Sequence, residues 1–196
     1  YRNEMQEDTC ITWNSLFVKA IEIKNELLNE GVKKGDCVGG YLSNHPITIA
    51  AFLATNSIGA VWSCCSPDFG IESVISRVGQ LKPTVLIAIR EYSYNGKKYS
   101  LSERVGSIKK AIPTIKTILY YETDFGSWNL NTERIISLKS VEVEYDHPIW
   151  VLYSSGTTGR PKSITHRTGG MLMEHYKAIA IHQNLKQGDR FFWHTT

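Results

Sequence analysis

Short β-branched runs alternate with helix-period stretches along this chain, and that alternation restricts it to an α/β architecture with a largely parallel sheet and flanking helices. The expected strands fall near residues 37–42, 60–63, 84–89, 115–120 and 148–152, with helices near 13–29, 46–59, 71–81 and 102–111 between them. Leu16, Phe17, Ala20, Ile23 and Leu27 recur at the 3.6-residue spacing of a buried helix face. Thr12 stands where an N-cap belongs and Gly31 where a C′ glycine belongs. Residues 122–143 are polar and carry no pattern that assigns an element. The last residues, from Phe191 on, read as a strand with no partner following.

One stretch does not fit a plain connection. Behind the apolar run Pro148-Ile149-Trp150-Val151-Leu152 comes Tyr153-Ser154-Ser155-Gly156-Thr157-Thr158-Gly159-Arg160-Pro161-Lys162. Glycines let the backbone approach a ligand, successive N–H groups form an anion-sized concavity, and hydroxyls rotate toward phosphate oxygens. Lys162 adds a point charge. A helix is expected to follow from about 166 to 183, which makes the stretch a strand-to-helix loop suited to a polyphosphate. The P-loop pattern G-x-x-x-x-G-K-[ST] fits from Gly156 to Ser163 except that Pro161 replaces the second glycine. Proline has no N–H and a fixed φ, so a Walker loop is excluded on physical grounds.

Composition narrows the class further. The chain has 196 residues, enough for one domain or one and a part. Its net charge of +3 is spread through the sequence, too weak to argue for nucleic acid or a membrane surface. No apolar run approaches the ~20 residues of a membrane helix, so no membrane insertion is expected. Cys10, Cys37, Cys64 and Cys65 form no C-x-x-C pair, and buried thiols in a reducing cytoplasm are the expectation. The chain lacks an initial methionine, and it reads as a piece of a larger protein.

The pattern S-S-G-T-T-G-x-P-K resembles the phosphate-binding signature of the acyl-adenylate-forming (AMP-binding) superfamily. The likeness extends to Gly31-Val32-Lys33-Lys34-Gly35-Asp36, to 42–63, to Ser66-Pro67-Asp68-Phe69-Gly70 and to Ile164-Thr165-His166, and is nearest to the branch that activates acetoacetate. Ser163 departs from the glycine or alanine of many relatives, a small change in a small residue. The resemblance implies an incomplete N-terminal adenylation domain over 1–196, with a C-terminal remainder and lid lying beyond it. It implies ATP with Mg2+, coenzyme A as co-substrate, and a small-molecule carboxylate as partner, with no nucleic acid. The implied reaction makes an acyl-adenylate and then a thioester. On that likeness Ser154, Ser155, Gly156, Thr157, Thr158, Gly159 and Lys162 hold the ATP phosphates, with Thr158 and Lys162 acting in catalysis. Asn95, Gly96 and Lys97 match a segment that meets coenzyme A, although Asn-Gly is equally a hairpin signal. No metal ligands are assigned. An acetyl- or propionyl-CoA synthetase, or a non-catalytic binding module, are the alternatives.

Other residues carry less. Ser66-Pro67-Asp68-Phe69-Gly70 contains the kinase D-F-G triplet without the kinase catalytic loop, and reads as a turn. His166 and His175 lack the four-residue spacing of a helical zinc pair and read as structural or surface histidines. Met171 and Met173 read as core filler.

Overall fold

A computed structural model describes residues 9–126, 128, 137–154 and 159–192. Helix α1 (Trp13–Asn29) starts where Thr12 Oγ1 accepts a hydrogen bond from the Ser15 N–H at 3.0 Å. It ends in a Schellman motif: Val32 N–H donates to Leu27 O and Gly31 N–H to Leu28 O, with Gly31 at φ 80°. Both caps are therefore those the sequence announces. Strand β1 (Cys37–Tyr41), helix α2 (Pro46–Ser57) and strand β2 (Val61–Cys65) follow. Helix α3 (Ile71–Val78) runs into a 3-10 turn (Gly79–Leu81) and strand β3 (Val85–Ile89). A hairpin of β4 (Glu91–Tyr94) and β5 (Lys97–Ser100) precedes α4 (Ser102–Ala111) and β6 (Thr117–Tyr121). The chain closes with β7 (Pro148–Ser154), β8 (Lys162–Arg167), α5 (Thr168–Tyr176) and a π-helical turn (Lys177–His182).

Six strands form one sheet in the order β6-β3-β1-β2-β7-β8, all parallel except β8, which runs antiparallel to β7. From β1 the chain steps one way to β2, then crosses back to β3, so the order reverses beside β1, as in doubly wound sheets. Helices α1 and α2 pack together, as do α3 and α4. Strand β3 is buried along its length, as expected of a parallel strand covered on both faces. On the α3 face Gly39 makes room for the helix: a Cβ there would sit 2.9 Å from Val78 Cγ1. On the α2 face the ring of Phe52 meets that of Trp150 at 5.2 Å.

Four expectations are corrected. The glycine-rich stretch is not a strand-to-helix loop, because β8 intervenes and turns it into the connection of a β7–β8 hairpin. The helix begins at Thr168, so His166 lies on a strand. Strand β8 was missed because Lys162-Ser163-Ile164-Thr165-His166-Arg167 is an edge strand exposed on both faces, with no apolar alternation to report. Phe191 and Phe192 belong to no strand, and 193–196 lie outside the described residues. Met173 is exposed rather than core, with its sulfur 3.0 Å from the Tyr145 hydroxyl that donates to it. The unassigned segment contributes a stretch without regular secondary structure over 137–144. There Val141 N–H donates to Ser57 O, and Lys24 and Lys34 reach the carbonyls of Lys139 and Glu142.

Candidate functional site: the mouth of the β7–β8 hairpin

Parallel sheets bind ligands beyond the carboxyl ends of their strands, and β7 ends there at Ser154. Register pairs Ser154 with Lys162, Tyr153 with Ser163, Leu152 with Ile164 and Trp150 with His166. Directly opposed residues in an antiparallel pair share a face, with Cβ atoms about 5 Å apart. Ser154 and Lys162 therefore stand together at the mouth of the connection. Lys162 is exposed. Ser155, Gly156, Thr157 and Thr158 lie outside the described residues. Gly159 has φ 143°, a region that side-chain-bearing residues rarely adopt, and among the described residues nothing lies within 4 Å of a Cβ built on it. The residue type is thus required by backbone conformation, leaving open space above it.

Alternation separates the hairpin's two faces. Tyr153 points toward α3, where its hydroxyl donates to Arg77 O at 2.7 Å. Burial pushes that phenol up to about 12, so it remains a protonated donor at neutral pH. Val151 is buried on the same face, its carbonyl accepting from Ser63 Oγ at 2.8 Å. The other stem of the connection is tied to the same helix end: Gln80 Nε2 donates to Pro161 O at 3.0 Å. The sequence patterns gave no hint of Gln80 or of Tyr153's role, since both contacts join residues far apart in the chain.

On the opposite face the Trp150 ring lies 5.9 Å from each of the His166 and His175 rings. The two histidines, nine residues apart, both pack against one indole. Among the described residues no group of three or more His, Cys, Asp or Glu side chains is placed to hold a metal ion.

The second candidate segment is a two-residue hairpin turn. Asn95 and Gly96 both have positive φ, 52° and 70°, as a type I′ connection requires. Lys98 pairs with Glu91 at 3.1 Å, while Lys97 has no ion-pair partner among the described residues. Tyr92 and Tyr99 stack across the strands at 5.4 Å. The structure thus brings Ser154 and Lys162 together at one mouth, with Gly159 three residues before Lys162, and leaves Asn95, Gly96 and Lys97 on a separate hairpin.

The cysteines are free, and Cys10 is exposed. Burial pushes the Cys64 thiol up to about 12 and Cys65 to about 11, which leaves them un-ionised and poor nucleophiles. No helix among the described residues is long and apolar enough to cross a membrane.

A mostly parallel sheet with flanking helices, carrying a glycine- and hydroxyl-rich connection at the carboxyl end of β7, defines the class as α/β. The AMP-binding enzyme family matches residues 2–196, and the chain belongs to that family. It is 35% identical to the acetoacetyl-coenzyme A synthetase of Rhizobium meliloti (strain 1021), over all of this chain and 32% of that protein. It is 29% identical to a malonamoyl-CoA synthetase of Penicillium aethiopicum, over 95% of this chain and 28% of that protein. Among solved structures, acetoacetyl-CoA synthetase from Streptomyces lividans superposes with a TM-score of 0.85 at 39% identity, covering 96% of this chain and 30% of that one. The chain thus spans about a third of the length of these relatives.

Proposed function

We propose that residues 1–196 are the N-terminal part of an adenylation domain in an ATP-dependent acid–thiol ligase acting in the cytoplasm, with acetoacetate as its acid. The carrying observation is the Ser154–Lys162 pair at the mouth of the β7–β8 hairpin, within a chain whose family is AMP-binding. Similarity to acetoacetyl- and malonamoyl-CoA synthetases supports a short acid with a carbonyl at its third carbon.

In the proposed reaction a carboxylate oxygen attacks the α-phosphorus of ATP. The bond to the bridging oxygen breaks and pyrophosphate departs. The sulfur of coenzyme A then attacks the acyl carbon, giving up its proton, and AMP leaves with the electron pair of the acyl–oxygen bond. Negative charge grows on the departing pyrophosphate, and fixed donors aimed at it lower the barrier without reorganising. Lys162 supplies the cation. Ser154, Ser155, Thr157 and Thr158 supply hydroxyl donors, and the Gly156 and Gly159 backbone lets the chain close around the phosphates. Magnesium accompanies ATP as the counter-ion of its phosphates. Lys97 at the β4–β5 turn meets a phosphate of coenzyme A.

The test is thioester formation by the full-length protein, supplied with ATP, Mg2+ and coenzyme A and offered acetoacetate, malonamate, acetate and propionate in turn. Acetoacetate is expected to give the highest kcat/KM. Preference for acetate or propionate would replace the substrate assignment, and no thioester with any acid would replace the ligase reading.

A further inference from the structure

Both stems of the glycine-rich connection are fastened to the end of one helix. On the first, the Tyr153 hydroxyl donates to Arg77 O. On the second, the carbonyl of Pro161 accepts from Gln80 Nε2 at 3.0 Å. Proline has no N–H, so that carbonyl is the one main-chain hydrogen-bonding group it has. Gln80 sits in the 3-10 turn that closes α3, and the same Nε2 donates to Ser76 O at 2.6 Å. Its amide is therefore held from below while it holds the loop above. The helix end is itself braced: Arg77 Nη1 donates to Ser73 O at 2.9 Å, and the guanidinium lies 4.9 Å from the Phe69 ring centroid.

Among the described residues, Gln80 makes the one side-chain hydrogen bond to residues 159–161. A cavity of about 630 Å³ opens between α3, the turn after α4 and the loop, lined by Glu72, Ser76, Gln80, Lys82, Thr114 and Arg160 among others. Arg160 is exposed and lines this cavity, so among the described residues the Gln80–Pro161 contact lies beside open space.

We propose that Gln80 is a positioning residue for the phosphate loop: it fixes the stem that delivers Lys162 to the nucleotide, working in concert with Tyr153 on the other stem. The inference rests on the ligase reading for its kinetic consequence, but not for the tether itself. Removing the amide frees the Pro161 carbonyl, lets the second stem drift, and weakens the grip on ATP and pyrophosphate without touching the acid.

The experiment compares the full-length protein with Gln80→Met, which keeps shape and charge but lacks a donor, and with Gln80→Lys, which restores a donor. For Gln80→Met the KM for ATP in pyrophosphate exchange is expected to rise about three- to tenfold, the worth of one ordinary hydrogen bond. The KM for the acid and the melting temperature stay unchanged. Hydrogen–deuterium exchange at the amides of Arg160, Lys162 and Ser163, read without nucleotide, should quicken by a similar factor while β3 and α2 stay protected. Gln80→Lys restores both readouts, and does so at about 0.5 M salt, where attraction between exposed charges is screened. Unchanged loop exchange and unchanged KM would overturn the tether. So would an equal decline in every kinetic parameter together with a lower melting temperature, the signature of a role in the fold alone. A wild-type protein that exchanges no pyrophosphate with any acid defeats the ligase reading, and the amide-exchange comparison still decides the tether.

Discussion

Ser154 and Lys162 stand directly opposite each other across the β7–β8 pair, so the cation arrives at the loop's mouth from the returning strand rather than from a helix. This differs from a Walker loop, where a helix N-terminus completes the phosphate site. The charge on Lys162 has correspondingly more to do. Lys162→Ala is expected to lower kcat/KM for ATP by about ten- to a hundredfold, the range for a hydrogen bond to a charged group. The melting temperature should hold, because the residue is exposed. Steady-state kinetics beside a thermal melt check this.

Gly159→Ala separates space from conformation. Among the described residues no atom lies within 4 Å of the added methyl, but φ is 143°. The cost is therefore backbone strain of about 1–3 kcal/mol, which the exposed loop relieves by changing shape. The expected outcome is a raised KM for ATP with the thermal midpoint nearly unchanged. A wild-type KM would show that the loop tolerates a side chain at this φ.

His45 gives the fold a pH limit. It caps α2 through Nδ1, which accepts from the Ile47 N–H at 3.1 Å, and it packs against the Phe125 ring at 5.0 Å. Burial lowers its pKa from 6.5 to about 4, while the Thr123 backbone and the Asp124 carboxylate oppose that shift without cancelling it. The native state thus disfavours the protonated ring. Stability is whole above pH 6.5 and drains away as pH falls toward 4, by up to about 3 kcal/mol. Urea melts from pH 7 to 4 read the loss. His45→Asn, which keeps a capping acceptor but does not titrate, should flatten that dependence.

Two glycines should respond with opposite signs to the same change. A Cβ at Gly40 would sit 2.8 Å from the Trp62 ring and 2.9 Å from Cys64 Sγ, so Gly40→Ala overpacks the α2 face and destabilises by about 1–3 kcal/mol. Gly106 lies inside α4 with open space around it, so Gly106→Ala stabilises by about 0.5–1 kcal/mol. Denaturant midpoints distinguish them.

Lys97→Glu is expected to raise the KM for coenzyme A several-fold while leaving the KM for ATP alone. Lys98 is already engaged with Glu91, so Lys97 is the cation at this turn available to a ligand phosphate. An unchanged KM would return Asn95 and Gly96 to the status of an ordinary type I′ turn.

What could be read in advance was whatever is encoded locally. Thr12 and Gly31 announce both ends of α1 within a few residues of the positions they cap. The apolar run of β3 announces a strand covered on both faces. The composition of the loop is legible because glycine, hydroxyls and lysine stand side by side in the sequence, and the phosphate-holding role proposed for it rests on that composition. Its setting was not legible, since β8 is exposed and acquires its strand character from pairing with β7 rather than from a pattern of its own. Gln80 and Tyr153 were invisible for a related reason: each contact that matters spans a long loop of chain and involves a backbone carbonyl, which has no sequence signature.

Acetoacetate-dependent exchange of labelled pyrophosphate into ATP, measured on the full-length protein and on its Thr158→Val, Lys162→Ala double variant, bears most directly on the proposal that the β7–β8 hairpin holds the ATP phosphates. The wild type is expected to exchange label only when the acid is present, and the double variant to lose at least a hundredfold in kcat/KM, from two donors to charged oxygens. Equal exchange by the two proteins would contradict the account.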